Sequence, residues 1–288
     1  MPRSVRIDRP QPSYKQGFAR SAGESAYPNL WPRHLALSPG LGPTGGTLHD
    51  LSGQGRDGTL TSMDLSTGWE VSDRRYSIKP DGVNDHVLIS DFSYGPNFTI
   101  SFWFKVEDLV GADFQYMFSH DAFSVQNSVN IFLYEESQAN HPRLRTVLVD
   151  SDDATDAGAQ SALDIDINYE DGLWHLYTLT VGSFGSRVYV DGVEKITSAA
   201  QGGDSFNPTT DIFWGGREDL DAGRFFPGNL DELFLYDRDL NASEHTQLYI
   251  IGRGGIFQRR PITIAKAPAV AGGTILPQIV TAYHRINA

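Results

Sequence analysis

The sequence contains no cysteine. That excludes a disulfide framework and any thiolate-bound metal, so burial of apolar surface has to hold the fold. Long apolar runs are missing too, and none approaches the ~20 residues that a membrane-spanning helix needs. The amino terminus, Met1-Pro2-Arg3-Ser4-Val5-Arg6-Ile7-Asp8-Arg9-Pro10, carries positive charge with no apolar stretch behind it. It lacks the pattern of a secretory signal, and synthesis in a cytoplasm is the expectation. The eight histidines fall in no H-E-x-x-H or other paired metal spacing. No G-x-S-x-G elbow, phosphate loop or dinucleotide glycine signature occurs. These absences turn the reading away from zinc hydrolases, serine hydrolases and nucleotide enzymes.

What is present is aromatic and rich in turns. The 288 residues are 40% hydrophobic and include 16 Phe, 12 Tyr and 5 Trp, with 29 Gly and 15 Pro spread along the chain. That length allows one large all-β domain with extensions. Strand signals recur at short intervals: Tyr76–Lys79, His86–Ile89, Phe98–Val106, Asn130–Tyr134, Leu144–Val149, Trp174–Val181, Ser186–Val190, Asp211–Gly216 and Leu230–Tyr236. In the third of these, Phe98, Ile100, Phe102, Phe104 and Val106 share one face and Trp103 lies on the other. Many short strands separated by Gly, Asp and Asn turns predict a two-sheet antiparallel β-sandwich over residues 35–249. One helix is expected, over residues 241–249, with Asn241 as N-cap and Glu244 completing a capping box.

Charge is distributed unevenly. Residues 1–34 carry +4, residues 250–288 carry +5 without a single acid, and the body between them carries −22. Both flanks are broken by Pro and Gly, which weaken regular structure, and they read as extended arms. At ~3.3 Å per residue each arm spans on the order of 100 Å. The expectation is that Arg3, Arg6, Arg9 and Trp31 at one end, and Phe257, Arg259, Arg260 and Tyr283 at the other, bind acidic surfaces of neighbouring subunits. The tail charge is too sparse for nucleic acid, without Lys/Arg blocks or stacking repeats.

Four segments, in order, resemble the laminin-G-like branch of the concanavalin A-like lectin/glucanase superfamily. They are Asp50-Leu51-Ser52-Gly53-Gln54-Gly55-Arg56-Asp57-Gly58, Asp81-Gly82-Val83-Asn84-Asp85-His86-Val87, Trp174-His175 with Tyr189-Val190-Asp191-Gly192, and Phe226-Pro227-Gly228-Asn229-Leu230-Asp231-Glu232-Leu233 followed by Tyr236-Asp237-Arg238-Asp239-Leu240. The resemblance implies a jelly-roll sandwich and leaves the arms outside it. The loop aspartates fit acceptors of backbone N–H bonds in tight turns. Strand alternation predicts that Asp231 and Glu232 point to opposite faces, with Asp231 a structural acceptor.

Catalysis is not expected. Glycosidases need two carboxyl groups facing one another, ~5 Å apart in the retaining class. The nearest pattern, Asp164-Ile165-Asp166-Ile167, puts two Asp on one strand face but lacks glutamates and also describes a half-solvated strand. A structural calcium is the one cofactor with any oxygen-rich loop to offer. Asp219 and Asp221 form a D-x-D-x-G turn, and residues 150–156 a denser acidic loop, although solvated acids in an acidic body explain both. Trp69, Trp103, Tyr134 and Trp214 are the aromatics available for a sugar platform, although the sequence identifies no sugar site. The resemblance, taken with the missing secretory signal and the basic arms, implies two expectations. The first is a structural or adhesion protein of a larger particle, a phage virion decoration or tail-associated protein with capsid, tail or identical subunits as partners and a host-surface glycan as ligand. The second is a free-standing carbohydrate-binding module.

Overall fold

The computed structural model describes residues 18–72, 75–93, 95–107, 114–121, 127–134, 142–149, 161–183, 185–198 and 210–260. Their strands, in chain order, are β1 (Leu35–Leu37), β2 (Thr47–Leu48), β3 (Gly58–Thr61), β4 (Trp69–Ser72), β5 (Arg75–Ile78), β6 (His86–Ile89), β7 (Phe98–Lys105) and β8 (Phe114–His120). After them come β9 (Val129–Tyr134), β10 (Arg143–Leu148), β11 (Ser161–Ile165), β12 (His175–Gly182), β13 (Gly185–Val190), β14 (Val193–Ser198), β15 (Ile212–Trp214) and β16 (Asn229–Tyr236). A helix, α1 (Ala242–Ile251), follows the last strand. Asn241 Oδ1 accepts from Glu244 N–H and Glu244 answers Asn241 N–H, so the predicted capping box is formed. No helix among the described residues is long and apolar enough to cross a membrane.

The strands make two antiparallel sheets. Sheet one runs β14-β13-β12-β7-β16-β5-β4, with β1 also paired to β16; sheet two runs β11-β10-β9-β8-β15-β6-β3-β2. Between them lies one continuous core. Phe98, Ile100, Phe102 and Phe104 of β7 and Leu230, Leu233 and Leu235 of β16 face Val129, Ile131 and Leu133 of β9 and Trp214 of β15, all fully buried. Truncating such a Phe to Ala costs about 3–5 kcal/mol through lost transfer energy and a residual cavity. The loop aspartates behave as turn acceptors. Asp50 takes N–H bonds from Ala36, Ser52 and Arg56, and Asp81 takes them from Val83 and Asn84.

Sheet one is buried on its outer side as well. There Trp103, Leu176, Phe234 and Tyr236 pack under Leu248 of α1 and under Ala19, Leu30, Trp31, Ile256 and Phe257. This corrects the expectation of extended arms for their described parts. Residues 18–34 and 252–260 lie on their own body and on each other, with bridges Phe18↔Gln258 and Ser25↔Arg259. Trp31 meets Phe257 edge-on at 5.4 Å inside this layer. Their apolar side chains are buried by the sandwich and need no neighbouring subunit for it. Arg3, Arg6, Arg9 and Tyr283 lie outside the described residues.

A second correction concerns Asp231 and Glu232. The register of β16 against β7 shifts between Asp231 and Phe234, and Glu232 sits at φ +55°. This bulge breaks the alternation, since the extra residue resets which face follows. Both carboxylates serve the same neighbourhood. Asp231, fully buried, accepts from Gly40 N–H at 2.8 Å and Arg253 Nε at 2.8 Å, and Glu232 accepts from Gly254 N–H. Gly254 has φ +73° and lies against the Arg75 guanidinium, where a Cβ would have no room. Burial raises the pKa of both acids. The Arg253 charge opposes that rise at Asp231, whereas the Asp231 charge adds to it at Glu232, which is pushed well above the usual carboxylate range.

Candidate functional site

The outer face of sheet two differs from that of sheet one. Along β9, Val129, Ile131 and Leu133 enter the core, so Asn130, Phe132 and Tyr134 point outward. Register sets their neighbours: Arg145 opposite Phe132 and Arg143 opposite Tyr134 on β10, and Asp164 opposite Arg145 on β11. On the other side Tyr116 and Phe114 of β8 stand opposite Phe132 and Tyr134. A register shift between Tyr116 and Phe118 sends both Met117 and Phe118 into the core and keeps Tyr116 outside. Two short rows result, Asp164–Arg145–Phe132–Tyr116 and Arg143–Tyr134–Phe114.

The rings of these rows stack. Tyr116 and Phe132 are 4.6 Å apart at 26°, and Phe114 and Tyr134 are 6.0 Å apart at 14°. Guanidinium groups cover them: Arg145 lies 4.1 Å from the Tyr134 ring centre, Arg224 4.5 Å from Phe114 and Arg217 5.4 Å from Tyr116. Planar cations over π faces gain from the ring quadrupole. Burial raises the Tyr116 pKa against the neighbouring Arg217, so the phenol stays neutral. The floor is therefore apolar and rigid, and its solvent side is a set of fixed donors and carboxylates. Arg145 exposes 27% of its side chain and Asp164 30%.

Arg217 and Arg224 come from the segment that follows β15 and folds back across β8. Gly215 N–H bonds Met117 O at 2.9 Å, and Tyr116 N–H bonds Arg224 O at 3.3 Å. The Asp219–Asp221 turn lies here, and its carboxylates are turned to guanidinium groups and not arranged for calcium. Arg217 Nε donates to Asp219 at 2.8 Å, and Asp221 sits 3.6 Å from Arg217 and 3.7 Å from Arg224. Burial opposes ionisation of Asp219, but the bonds from Arg217 and from Asp221 N–H outweigh it and hold the carboxyl below its ordinary value. Glu218 moves the other way, raised by burial and by the charges of Asp121, Asp219 and Asp211. Among the described residues no group of three or more His or acidic side chains is placed to hold a metal ion. The acidic loop 150–156 lies outside the described residues.

The Asp164–Asp166 strand is likewise committed to arginine. Arg145 clamps Asp164 with two bonds, 2.5 Å from Nε and 2.7 Å from Nη2, and its Nη2 also reaches Tyr134 OH at 2.8 Å. Asp166 stands 3.4 Å from Arg143. Of the four aromatics proposed as a platform, only Tyr134 is on this face. Trp214 is in the core, Trp69 packs against it, and Trp103 stacks on Tyr249 at 6.0 Å across sheet one. The sequence reading missed Phe114, Tyr116, Phe132, Arg143, Arg145, Arg217 and Arg224. The alternation of 130–134 and 143–147 carried part of the signal, but it becomes a site only when register places the two strands side by side.

Comparison with known proteins fits this architecture. The family described as "Concanavalin A-like lectin/glucanases superfamily", of laminin-G type, matches residues 81–244, more than half of the chain. No curated protein sequence matches it. Among solved structures, domain 4 of a GH43 extracellular arabinanase from Geobacillus stearothermophilus, in complex with arabinotriose, superposes with TM-score 0.56 at 16% identity, covering 78% of this chain and 98% of that one. The ligand binding domain of botulinum neurotoxin serotype D, in complex with N-acetylneuraminic acid, gives 0.55 at 14%, covering 81% of this chain and 52% of the other. The Trypanosoma rangeli sialidase gives 0.51 at 15%, covering 75% and 32%. This chain thus spans about half of the toxin domain and a third of the sialidase. At such identities the likeness is one of fold.

Proposed function

The chain belongs to the concanavalin A-like lectin/glucanases superfamily, and on that premise we propose that it is a non-catalytic carbohydrate-binding module whose binding face is the outer side of sheet two. The observation that carries this reading is the Arg145 clamp, one guanidinium that lies over Tyr134, bonds its hydroxyl and holds both oxygens of Asp164. A sugar presents pairs of adjacent hydroxyls. Planar charged groups fixed beforehand on the buried rings of Tyr116, Phe132 and Tyr134 meet those hydroxyl pairs with little loss of side-chain freedom. The same clamp speaks against catalysis. A glycosidase carboxylate has to exchange a proton or attack an anomeric carbon, and Asp164 has both oxygens engaged. Arabinotriose and N-acetylneuraminic acid, bound by the two structural neighbours, are the first ligands to try.

The test is a glycan array followed by calorimetry on its hits. Arg145→Lys keeps the charge but loses the planar fork, and Tyr134→Ala removes the ring; each should weaken binding at least about tenfold. Turnover of the bound glycan should be undetectable. A glycan bound equally by both variants, or no binding across the array, overturns the assignment.

A second reading rests on the basic flanks of an acidic body. In it the chain is part of a larger particle, a virion decoration or tail-associated protein held by residues 1–17 and 261–288 against capsid or tail subunits. Purified particles should then retain the chain through a density gradient and release it in high salt. Its absence from every particle fraction ends this reading.

A further inference from the structure

The described ends of the chain pair as a short antiparallel zipper, in which Ala19 N–H bonds Phe257 O at 2.7 Å and Ala26 N–H bonds Gln258 O at 2.7 Å. Residues 18–20 of that zipper, the turn 38–44 after β1 and residues 48–53 at and after β2 enclose a cavity of about 320 Å³. That volume is in the range of small-molecule pockets, which are mostly apolar with a few placed polar groups. Phe18, Ala19, Leu41, Leu48 and Leu51 supply the apolar wall. No residue of the arginine-covered face takes part, so the cavity is separate from the proposed sugar site.

The polar groups of the cavity divide into committed and uncommitted ones. Both oxygens of Asp50 are taken, by the N–H groups of Ala36, Ser52 and Arg56 and by the Ser52 hydroxyl. His49 Nδ1 faces Asp57 Oδ2 at 3.1 Å, and Thr44 Oγ1 donates to Thr47 O. Ser38 is different. It stands at the N-cap position of the turn Pro39–Leu41, where a hydroxyl usually accepts an N–H from the residues that follow. Here Pro39 has no N–H, Gly40 N–H donates to Asp231 Oδ1 at 2.8 Å, and Leu41 N–H donates to Ser38 O at 3.2 Å. Ser38, only 9% exposed, therefore keeps a buried Oγ with no partner among the described residues. Arg20 also lines the cavity and is exposed, which places it at the mouth. Its main-chain N–H bonds Glu24 at 2.9 Å, and Glu24 is paired with Arg259 at 3.5 Å. The Arg20 guanidinium itself meets no acid among the described residues.

We propose that this cavity binds a small monocarboxylate with an apolar body, of the size of a substituted benzoate. The apolar wall takes the body. Arg20, the uncommitted cation among the lining residues, sets the sign of the head group. A carboxylate accepts from a guanidinium and from a hydroxyl alike, so one head group suits both uncommitted donors. The proposal does not depend on sugar binding, because its test contains no glycan.

Calorimetry of the full-length chain with para-toluate, para-tolylmethanol and acetate tests it. Para-toluate should bind with a Kd of about 1 mM or tighter, and acetate, which has no apolar body, should not bind. Para-tolylmethanol has the body without the charge and should bind at least about tenfold more weakly than para-toluate. Arg20→Gln and Ser38→Ala should each weaken para-toluate at least about fivefold. Ser38→Ala should also leave the unfolding midpoint of the free chain at or above that of the parent, since it removes an unpaired buried hydroxyl. Absence of para-toluate binding, equal affinity for acid and alcohol, or unchanged affinity in either variant overturns the proposal. A lowered midpoint for Ser38→Ala overturns it as well, because the hydroxyl would then be structural.

Discussion

Individual side chains in this sandwich carry opposite electrostatic duties. His175 lies between two carboxylates, with Nδ1 2.8 Å from Asp191 and Nε2 3.2 Å from Asp171. Burial lowers its pKa, but the bonds to Asp191 and then Asp171 outweigh burial and leave it raised above 6.5. A raised histidine adds stability that is complete below the unfolded value, about 6.5, and is lost as pH climbs through the folded value. The difference in unfolding free energy between the parent and His175→Gln should therefore be largest below about pH 6.5 and shrink as the pH climbs above it; a difference constant with pH would show that the ring acts by packing alone. His120 and His245 are fully buried and depressed to about 4, mainly by desolvation. Their contribution has the opposite sign, present above pH 6.5 and lost as pH falls towards 4. The buried acids also divide. Asp231→Ala strands the Arg253 charge, whose side chain is 7% exposed, and should cost about 3–5 kcal/mol in urea unfolding. Glu232→Gln keeps an acceptor for Gly254 N–H and has no charge to bury beside Asp231, so it should be close to neutral. Equal losses from the two substitutions would refute this division.

At the level of elements, α1 is held by local signals and by the strand before it. Glu244 bonds Asn241 N–H and also grips Arg238 at 2.8 and 2.9 Å. Asn241→Ala should cost about 1 kcal/mol, as N-cap losses generally do, measured by chemical unfolding; a cost near zero would mean that packing on sheet one fixes the helix start. This helix and the strands with clear alternation were legible in the sequence because their determinants are local: the cap residues Asn241 and Glu244, and the period-two run of Phe98, Ile100, Phe102 and Phe104. The course of β16 was not legible. All eight of its residues are buried, and nothing local marks Glu232 as the residue that takes a left-handed conformation and turns its carboxylate towards Gly254. The arginine-covered face was illegible for a related reason, since Arg145, Tyr134, Asp164 and Arg217 lie on four separate segments and meet only through register.

Across the whole molecule, the two sides of the sandwich are finished differently. Sheet one is roofed by α1 and both terminal segments, and sheet two is roofed in part by the stretch that carries Arg217 and Arg224. Composition marked the flanks as unlike the body, but it could not say where they depart from it. Trp31 and Phe257 stand among prolines and glycines, yet they bury against Phe234 and one another because the outer side of sheet one has apolar surface left to cover. A chain trimmed to residues 18–260 should fold with its unfolding midpoint within a few degrees of the parent, whereas one trimmed to 35–249 should lose that layer and melt far lower. Equal midpoints for the two would mean that the zipper contributes nothing to stability.

The pairing of β16 between β7 and β5, with β1 also on it, sets the order in which this chain can be completed as it is made. The strand that binds the halves of sheet one together is the last of the described strands to be synthesised, and Arg259 reaches back to Phe18, 241 positions earlier. At roughly 5–20 residues per second, a nascent chain waits on the order of ten seconds or more before β16 arrives between β5 and β7, and longer before Phe257 arrives to cover Trp31. Such a chain should stay sensitive to protease, and open to chaperones, until residues near 236 have left the ribosome, and should then gain protection within one step.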